Sequence, residues 1–355
     1  MVKVNFWLKR LIKEWIFLVS TLGVVITSIY LRRLPHYDLS DFRILFLIFS
    51  FLVVLKGVEN SRILELVALR LSKERFIALK LVLLVGFLSM FLTNDISLLI
   101  IVPITLVMDI KHKDIVVIME AISANAFSSL MPSGNPQNMF IYWFYNLNFL
   151  QFVKAIYPFT VISALVIFLI TAFVKSAKDV VQTKDIDIEG NSYIYIVLLL
   201  LMILVVLKVL PFWVSFAVVL YAAVFERELF LIDYFLLGIF FMFFGFTDNL
   251  QRIIHITSVP EGSVFVLSAI LSQFMSNVPA ALFLADFTKA WKELLWGVSV
   301  GGYGNLIGSL ANLIAYRIYV THFPEKQNSF LVKFLGLGYL FFFSLFFVYL
   351  LFFKG

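Results

Sequence analysis

The chain has 355 residues, 62% hydrophobic, 17% aromatic and 14% charged, with 41 phenylalanines and a mean hydropathy of +1.00. A soluble domain is about 45–50% apolar and about 25% charged, so this composition excludes a water-soluble enzyme, a disordered chain and a nucleic-acid module; it predicts an all-α polytopic membrane protein. The absence of cysteine removes disulfides, thiolate metal sites and cysteine nucleophiles together, and the net charge of +6 reads as basic cytoplasmic loops.

In chain order, Lys3, Lys9, Arg10 and Lys13 precede an apolar run at 14–31 with no small-residue cleavage site after it, which predicts a retained first span starting in the cytoplasm. Further apolar runs fall at 42–58, 76–109, 115–145, 155–175, 193–209, 211–225, 229–247, 262–288, 294–320 and 330–353. Those at 76–109 and 262–288 are interrupted by Thr93-Asn94-Asp95 and Ser276-Asn277. Irregular backbone at membrane depth survives only inside protein or beside a watery cavity, so both runs are expected to be re-entrant hairpins.

The interruptions match each other. Ser89 to Asn94 aligns with Ser272 to Asn277, Pro132 to Asn138 with Leu306 to Asn312, and Lys56-Gly57 with Phe244-Gly245, in the same order. The halves are then 1–175 and 193–355, joined by a polar cytoplasmic linker at 176–192. Each half holds one hairpin (76–109, 262–288) and one broken helix (115–145, 294–320). With nine spans and two hairpins, the hairpins open on opposite faces and the repeat is inverted. Lys and Arg counted on this topology favour the cytoplasmic side by about two to one. Paired broken segments in two halves are the sequence pointer to a secondary transporter's midplane site.

Thr93, Asn94 and Asp95 place oxygens and a carboxylate where a helix reversal frees backbone carbonyls, a setting for Na⁺. A carboxylate inside a membrane segment is a functional hypothesis by default; Asp95 would ligate a cation or carry a proton. Glu120 is a second proton-coupling candidate, or else a solvated residue near the cytoplasmic interface. Pro132, Gly134 and Pro136 forbid a continuous helix, and the helix restarting toward Tyr145 offers its positive end to an anion. Gly301-Gly302-Tyr303-Gly304-Asn305 does the same in the second half. The candidate substrate-binding residues are Asn94, Asn138, Ser276, Asn277, Ser309 and Asn312. Those for cation or proton coupling are Thr93, Asn94, Asp95, Glu120, Ser133, Asn135 and Asn277, with Na⁺ at Thr93, Asn94, Asp95 and Asn138. No nucleophile–base pair, metal helix or phosphate loop is evident, so a non-enzymatic protein without a cofactor is expected.

These motifs, with Pro103 following Asp95 by eight residues, resemble the ion-transporter superfamily that includes arsenite permeases, NhaD-type sodium/proton antiporters and divalent-anion/sodium symporters. The run Gly134-Asn135-Pro136-Gln137-Asn138 is most similar to the YbiR-like inner-membrane permeases. The resemblance spans nearly the whole chain. It implies inverted repeats, a scaffold with a moving transport domain, an elevator mechanism, a homodimer and residence in the inner membrane. In the anion symporters both tips read Ser-Asn-Thr and bind sodium and substrate carboxylate. Here Asp95 stands in the third position of the first tip and Val278-Pro279 follow the second, so only Thr93, Asn94, Ser276 and Asn277 carry over. The expected function is secondary transport of a small inorganic or organic anion coupled to Na⁺ or H⁺; the alternatives are an NhaD-type Na⁺/H⁺ antiporter or an arsenite/antimonite efflux permease.

Overall fold

The computed structural model describes residues 14–71, 76–108, 110–172, 174, 192–254, 259–260 and 262–353. Sixteen α-helices and two short 3₁₀ turns make up these residues, with no strand among them. In chain order they are α1 (Trp15–Leu31), α2 (Leu39–Asn60), α3 (Ile63–Leu71), α4 (Ile77–Leu92), α5 (Asn94–Val107), α6 (Lys113–Ser128), α7 (Pro136–Phe144), α8 (Phe149–Ala172), α9 (Ser192–Val206), α10 (Val214–Phe225), α11 (Tyr234–Ile253), α12 (Val264–Met275), α13 (Asn277–Ala285), α14 (Trp291–Gly301), α15 (Leu310–His322) and α16 (Gln327–Phe352). The expected linker, apart from its last residue, lies outside the described residues, as do Lys3, Lys9, Arg10 and Lys13.

Each expected hairpin is two helices meeting at one residue, Thr93 between α4 and α5 and Ser276 between α12 and α13. Each expected broken helix is also a pair, α6/α7 and α14/α15, parted by an unwound stretch. Interruption shortens the pieces: α8 and the stretch Pro324–Phe352 are long and apolar enough to cross a membrane singly, whereas α1, α4, α5, α9, α10 and α12 have 10–17 residues against the roughly 20 a span requires.

The helices sort into two bundles by their contacts. The first joins α1 to α11 and α2 to α9, α10 and α11; the second joins both hairpins to the broken helices, with α8 and α16 packed outside. Small residues allow the closest approaches. A Cβ on Gly301 would sit 2.4 Å from the Ser272 Cβ, and one on Gly86 would meet Ser123 and Phe127, so α14 and α6 lie nearly backbone to backbone on α12 and α4.

Side-chain contacts define two ends of the molecule. At one, called end A here, Lys333 pairs with Asp114, Ser192 reaches the Ser61 carbonyl, and Lys113 donates to the Leu106 carbonyl at the open end of the first hairpin. At the other, end B, Arg33 pairs with Asp248, Gln251 donates to the Asp286 carbonyl, and the Tyr145 hydroxyl bonds the Ala285 and Thr288 carbonyls at the open end of the second hairpin.

Candidate functional site

The two hairpin tips share one backbone conformation. Thr93 has φ 75° and ψ 150°, Ser276 φ 74° and ψ 158°. Side chains rarely tolerate this region, which costs of order 1–3 kcal/mol per residue and persists only where the surroundings over-determine it. What holds it is visible in both halves. The Asn94 amide donates to the Gly134 carbonyl (3.2 Å), and the Asn277 amide to the Gly308 carbonyl (3.0 Å), so each tip is stitched to the unwound stretch of its own half. Gly134 and Gly308 are glycine for a steric reason: a Cβ on the first would collide with the Ser128 carbonyl, and on the second would lie 2.6 Å from the Gly301 carbonyl oxygen.

Within each unwound stretch an asparagine replaces the missing helical partners. Asn138 Nδ2 donates to the carbonyls of Ser128, Ser129 and Met131 at 3.0–3.2 Å, while the Asn135 side chain caps α7 by accepting from the Asn138 amide. Asn312 Nδ2 donates to the carbonyls of Gly302 (2.8 Å) and Asn305 (2.9 Å). The second stretch gains a further brace, Gln273, whose Nε2 donates to the Gly301 and Tyr303 carbonyls. Unwound backbone buried this deeply keeps its polar groups paired because the alternative is a desolvation cost of about 1–3 kcal/mol per group.

The halves meet at Asn125 on α6. Its Oδ1 accepts from Asn94 Nδ2 (3.0 Å) and the Ser309 hydroxyl (2.9 Å), and its Nδ2 donates to Asn312 Oδ1 (2.9 Å) and, longer, to the Gly302 carbonyl (3.4 Å). One buried amide therefore ties the first tip to the second broken helix.

A cavity of about 180 Å³ opens where these parts converge. The N-terminal residues of four helices line it: Asn94 and Asp95 of α5, Pro136 and Gln137 of α7, Asn277 and Val278 of α13, and Ser309 and Leu310 at the start of α15. The first bundle closes the opposite wall with Trp15, Ile16, Leu236 and Ile239. Charged groups on the lining are Glu14, Asp95, Asp233 and Arg317. Asp95 Oδ1 is buried and has no hydrogen-bond partner.

Of the residues expected from sequence, Asn94, Asp95, Ser276, Asn277 and Ser309 are brought together on this cavity. Asn135, Asn138 and Asn312 stand behind it as braces of the breaks, and Ser133 bonds the Met90 carbonyl. Thr93 supplies the bend and its carbonyl accepts from the Ser97 hydroxyl. Glu120 is not on the cavity and not at a solvated interface: it is fully buried between α6 and α5, where Thr105 donates to Oε1 while Oε2 has no partner.

Asn125, Asp233, Arg317 and Gln273 were not singled out by sequence. Asn125 is one of several polar residues ahead of the first break, with nothing in the sequence to set it apart from them, and Asp233 lies within the apolar run at 229–247, where it caps α11 by accepting from the Phe235 amide. Arg317 counts in the sequence only as a basic end residue. Gln273 was visible in the repeat, since it replaces Met90 at the aligned position.

A family model described as "Citrate transporter" (CitMHS) matches residues 11–301, which include both hairpins and the whole first broken helix. The chain belongs to the CitMHS citrate-transporter family. It is 32% identical over 320 residues to "Uncharacterized transporter MJ0456" of Methanocaldococcus jannaschii, covering 86% of this chain and 90% of that protein. It is 30% identical over 297 residues to "Inner membrane protein YbiR" of Escherichia coli K12, covering 78% and 80%. The all-helical membrane protein expected from composition is therefore a transporter of this family.

Proposed function

We propose that the protein is a secondary active transporter that carries a small inorganic or organic anion across the inner membrane by alternating access, coupled to Na⁺ or H⁺. The observation that supports this reading is the convergence of four helix N-termini on one cavity. Each such end carries the positive end of a helix dipole, which favours an anion; the Asn94 and Asn277 amides are committed to Gly134 and Gly308 and the Asn138 amide to Asn135, so dipoles and side chains supply the attraction. Asp95, in the first turn of α5 with Oδ1 unpartnered, is the cation or proton partner that offsets the anion's charge. Asn94, Ser276, Asn277 and Ser309 orient the anion; Asn125, Asn138 and Asn312 keep the breaks open around it. Citrate, from the family description, is the first substrate to test.

The placement of the hairpin open ends at ends A and B supports the inverted arrangement, and the division into two bundles supports an elevator-like displacement of the second against the first. We propose end A as cytoplasmic, with the cavity facing it, and a homodimer as the working assembly. A second reading, cation/proton antiport, is favoured by Asp95 and Asp233 lining the same space; there the carboxylates alternate between proton and cation and no anion is needed.

Reconstituted protein on a solid-supported membrane separates the two. Jumps of citrate, succinate, phosphate, sulfate or arsenite at fixed Na⁺ and pH are expected to give a current that Asn277→Ala abolishes while the variant remains folded. Current from Na⁺ or pH jumps alone, with no anion requirement, would replace the symporter by the antiporter.

A further inference from the structure

We propose a monovalent cation site behind the central cavity, between Asn138 on α7 and Ser299 on α14. The two breaks repeat each other closely. Asn138 Nδ2 donates to the Ser128 and Met131 carbonyls, and Asn312 Nδ2 to those of Gly302 and Asn305, at the same spacings along the chain. One bond is not repeated. In the second break Asn312 Oδ1 accepts from Asn125 Nδ2, across the contact of α6 with α15. Ser299 stands as far before Asn312 as Asn125 stands before Asn138, and α14 makes the corresponding contact with α7. The serine hydroxyl ends one bond from Cβ where the asparagine amide ends two, and Asn138 Oδ1 and Ser299 Oγ are both buried and both without a hydrogen-bond partner.

The chemistry of these two atoms selects the occupant. The three carbonyls on Asn138 Nδ2 fix which end of the amide is nitrogen, so the atom left over is an oxygen that can only accept. In the other break an N–H group meets that oxygen; here the occupant must bring a donor or a positive charge of its own, and an anion brings neither. Two helix C-termini flank the pair: Ser299 is in the last turn of α14, and the carbonyls held by Asn138 include that of Ser128, the last residue of α6. Such ends carry the negative pole of the helix dipole, and unwound carbonyls beside half-helix C-termini are where transporters hold cations. A water would satisfy both oxygens but leave those poles uncompensated, which favours the cation. No carboxylate is among these groups, so the charge that fits is a single one. Neither Asn138 nor Ser299 lines the central cavity, and Asp95 is not part of this site; only its part in a transport cycle rests on the function proposed above.

The test follows thermal unfolding of the full chain in detergent as NaCl replaces choline chloride at constant ionic strength and pH. Na⁺ is expected to raise the melting temperature of the wild type and also of Asp95→Asn, in which that carboxylate holds no cation. Ser299→Ala deletes an unpaired hydroxyl and is expected to fold, with the Na⁺ concentration for half the effect raised about tenfold by the loss of one ligand. Ser299→Asn offers Asn138 the N–H donor that Asn125 gives Asn312; it is expected to be as stable in choline as the wild type is in Na⁺, and to ignore Na⁺. A Na⁺ effect that both Ser299 variants retain overturns the proposal; if Asp95→Asn abolishes it, the cation belongs to that carboxylate and the function proposed above stands. Absence of any Na⁺ effect in the wild type also overturns it, leaving a water between the two oxygens. A protein that shows the expected Na⁺ effects but no anion-evoked current keeps this site and loses the symporter reading.

Discussion

Asn125 uses every hydrogen-bonding position of its amide on groups from both halves. Asn125→Ala leaves Asn94 Nδ2 and Asn312 Oδ1 short of a partner in a dry interior, a loss of about 1–3 kcal/mol; a melting temperature several degrees lower and a fall in transport rate of an order of magnitude or more are expected from thermal unfolding and liposome uptake. Asn125→Asp keeps the two acceptor roles and loses both donations, so it is expected to fail as well; wild-type uptake by both variants would remove the amide from the site. Asp95 is a different kind of residue, facing the cavity with one oxygen unpaired. In Asp95→Asn the anion-evoked current is expected to lose its dependence on Na⁺ or pH, whichever the wild type shows. Persistence of that dependence would shift coupling to Glu120, whose Oε2 is the other orphaned carboxylate oxygen among the described residues.

The helices are short because their sequences break them, and the breaks are held by backbone geometry that a single methyl group disturbs. Gly308→Ala places a Cβ 2.6 Å from the Gly301 carbonyl oxygen and 2.9 Å from that of Tyr303. Since the Gly308 carbonyl also receives the Asn277 amide, this variant is expected to lower thermal stability and transport together, read from the melting temperature and uptake of one preparation. These breaks were legible in the sequence because proline, glycine and asparagine inside an apolar run have few other uses, and because Thr93-Asn94 and Ser276-Asn277 repeat one another. Helix ends were less legible: α7 starts at Pro136 and α15 at Leu310, positions set by the Asn135 cap and by the Asn277 bond to Gly308, contacts no periodicity encodes. The hub at Asn125 was illegible because its partners Ser309 and Asn312 are 184 and 187 residues away. Glu120 was ambiguous because sequence fixes which helix carries a residue, not how deep its neighbours bury it.

Between the bundles, the lining of the central cavity includes Trp15 at the start of α1, Asp233 just ahead of α11, and Arg317 of α15, and the proposal above opens it toward end A. Because the chain has no native cysteine, single replacements report access directly. Leu236→Cys or Leu313→Cys, both on the lining, is expected to react with a membrane-impermeant maleimide added from the end-A side and to be protected by substrate; reaction from the end-B side only would reverse the assignment of the open face. The seam between the bundles at end B is held by neutral groups and one lysine. Trp143 and Tyr142 donate to the Val206 and Leu207 carbonyls, Lys208 to Asn146 and the Leu147 carbonyl, and Gln251 to the Asp286 carbonyl; none of these five bonds between bundles joins two charges. At about 0.5–1.5 kcal/mol net each, these are the contacts that any displacement of one bundle against the other has to exchange for new ones. Salt does little to loosen a seam of this kind, because it screens charge pairs and there are none among these five. On the proposed alternating-access cycle, a ligand gripping both arrangements equally shifts neither however tightly it binds, so the cargo that drives it is the one that fits better once these neutral bonds have parted.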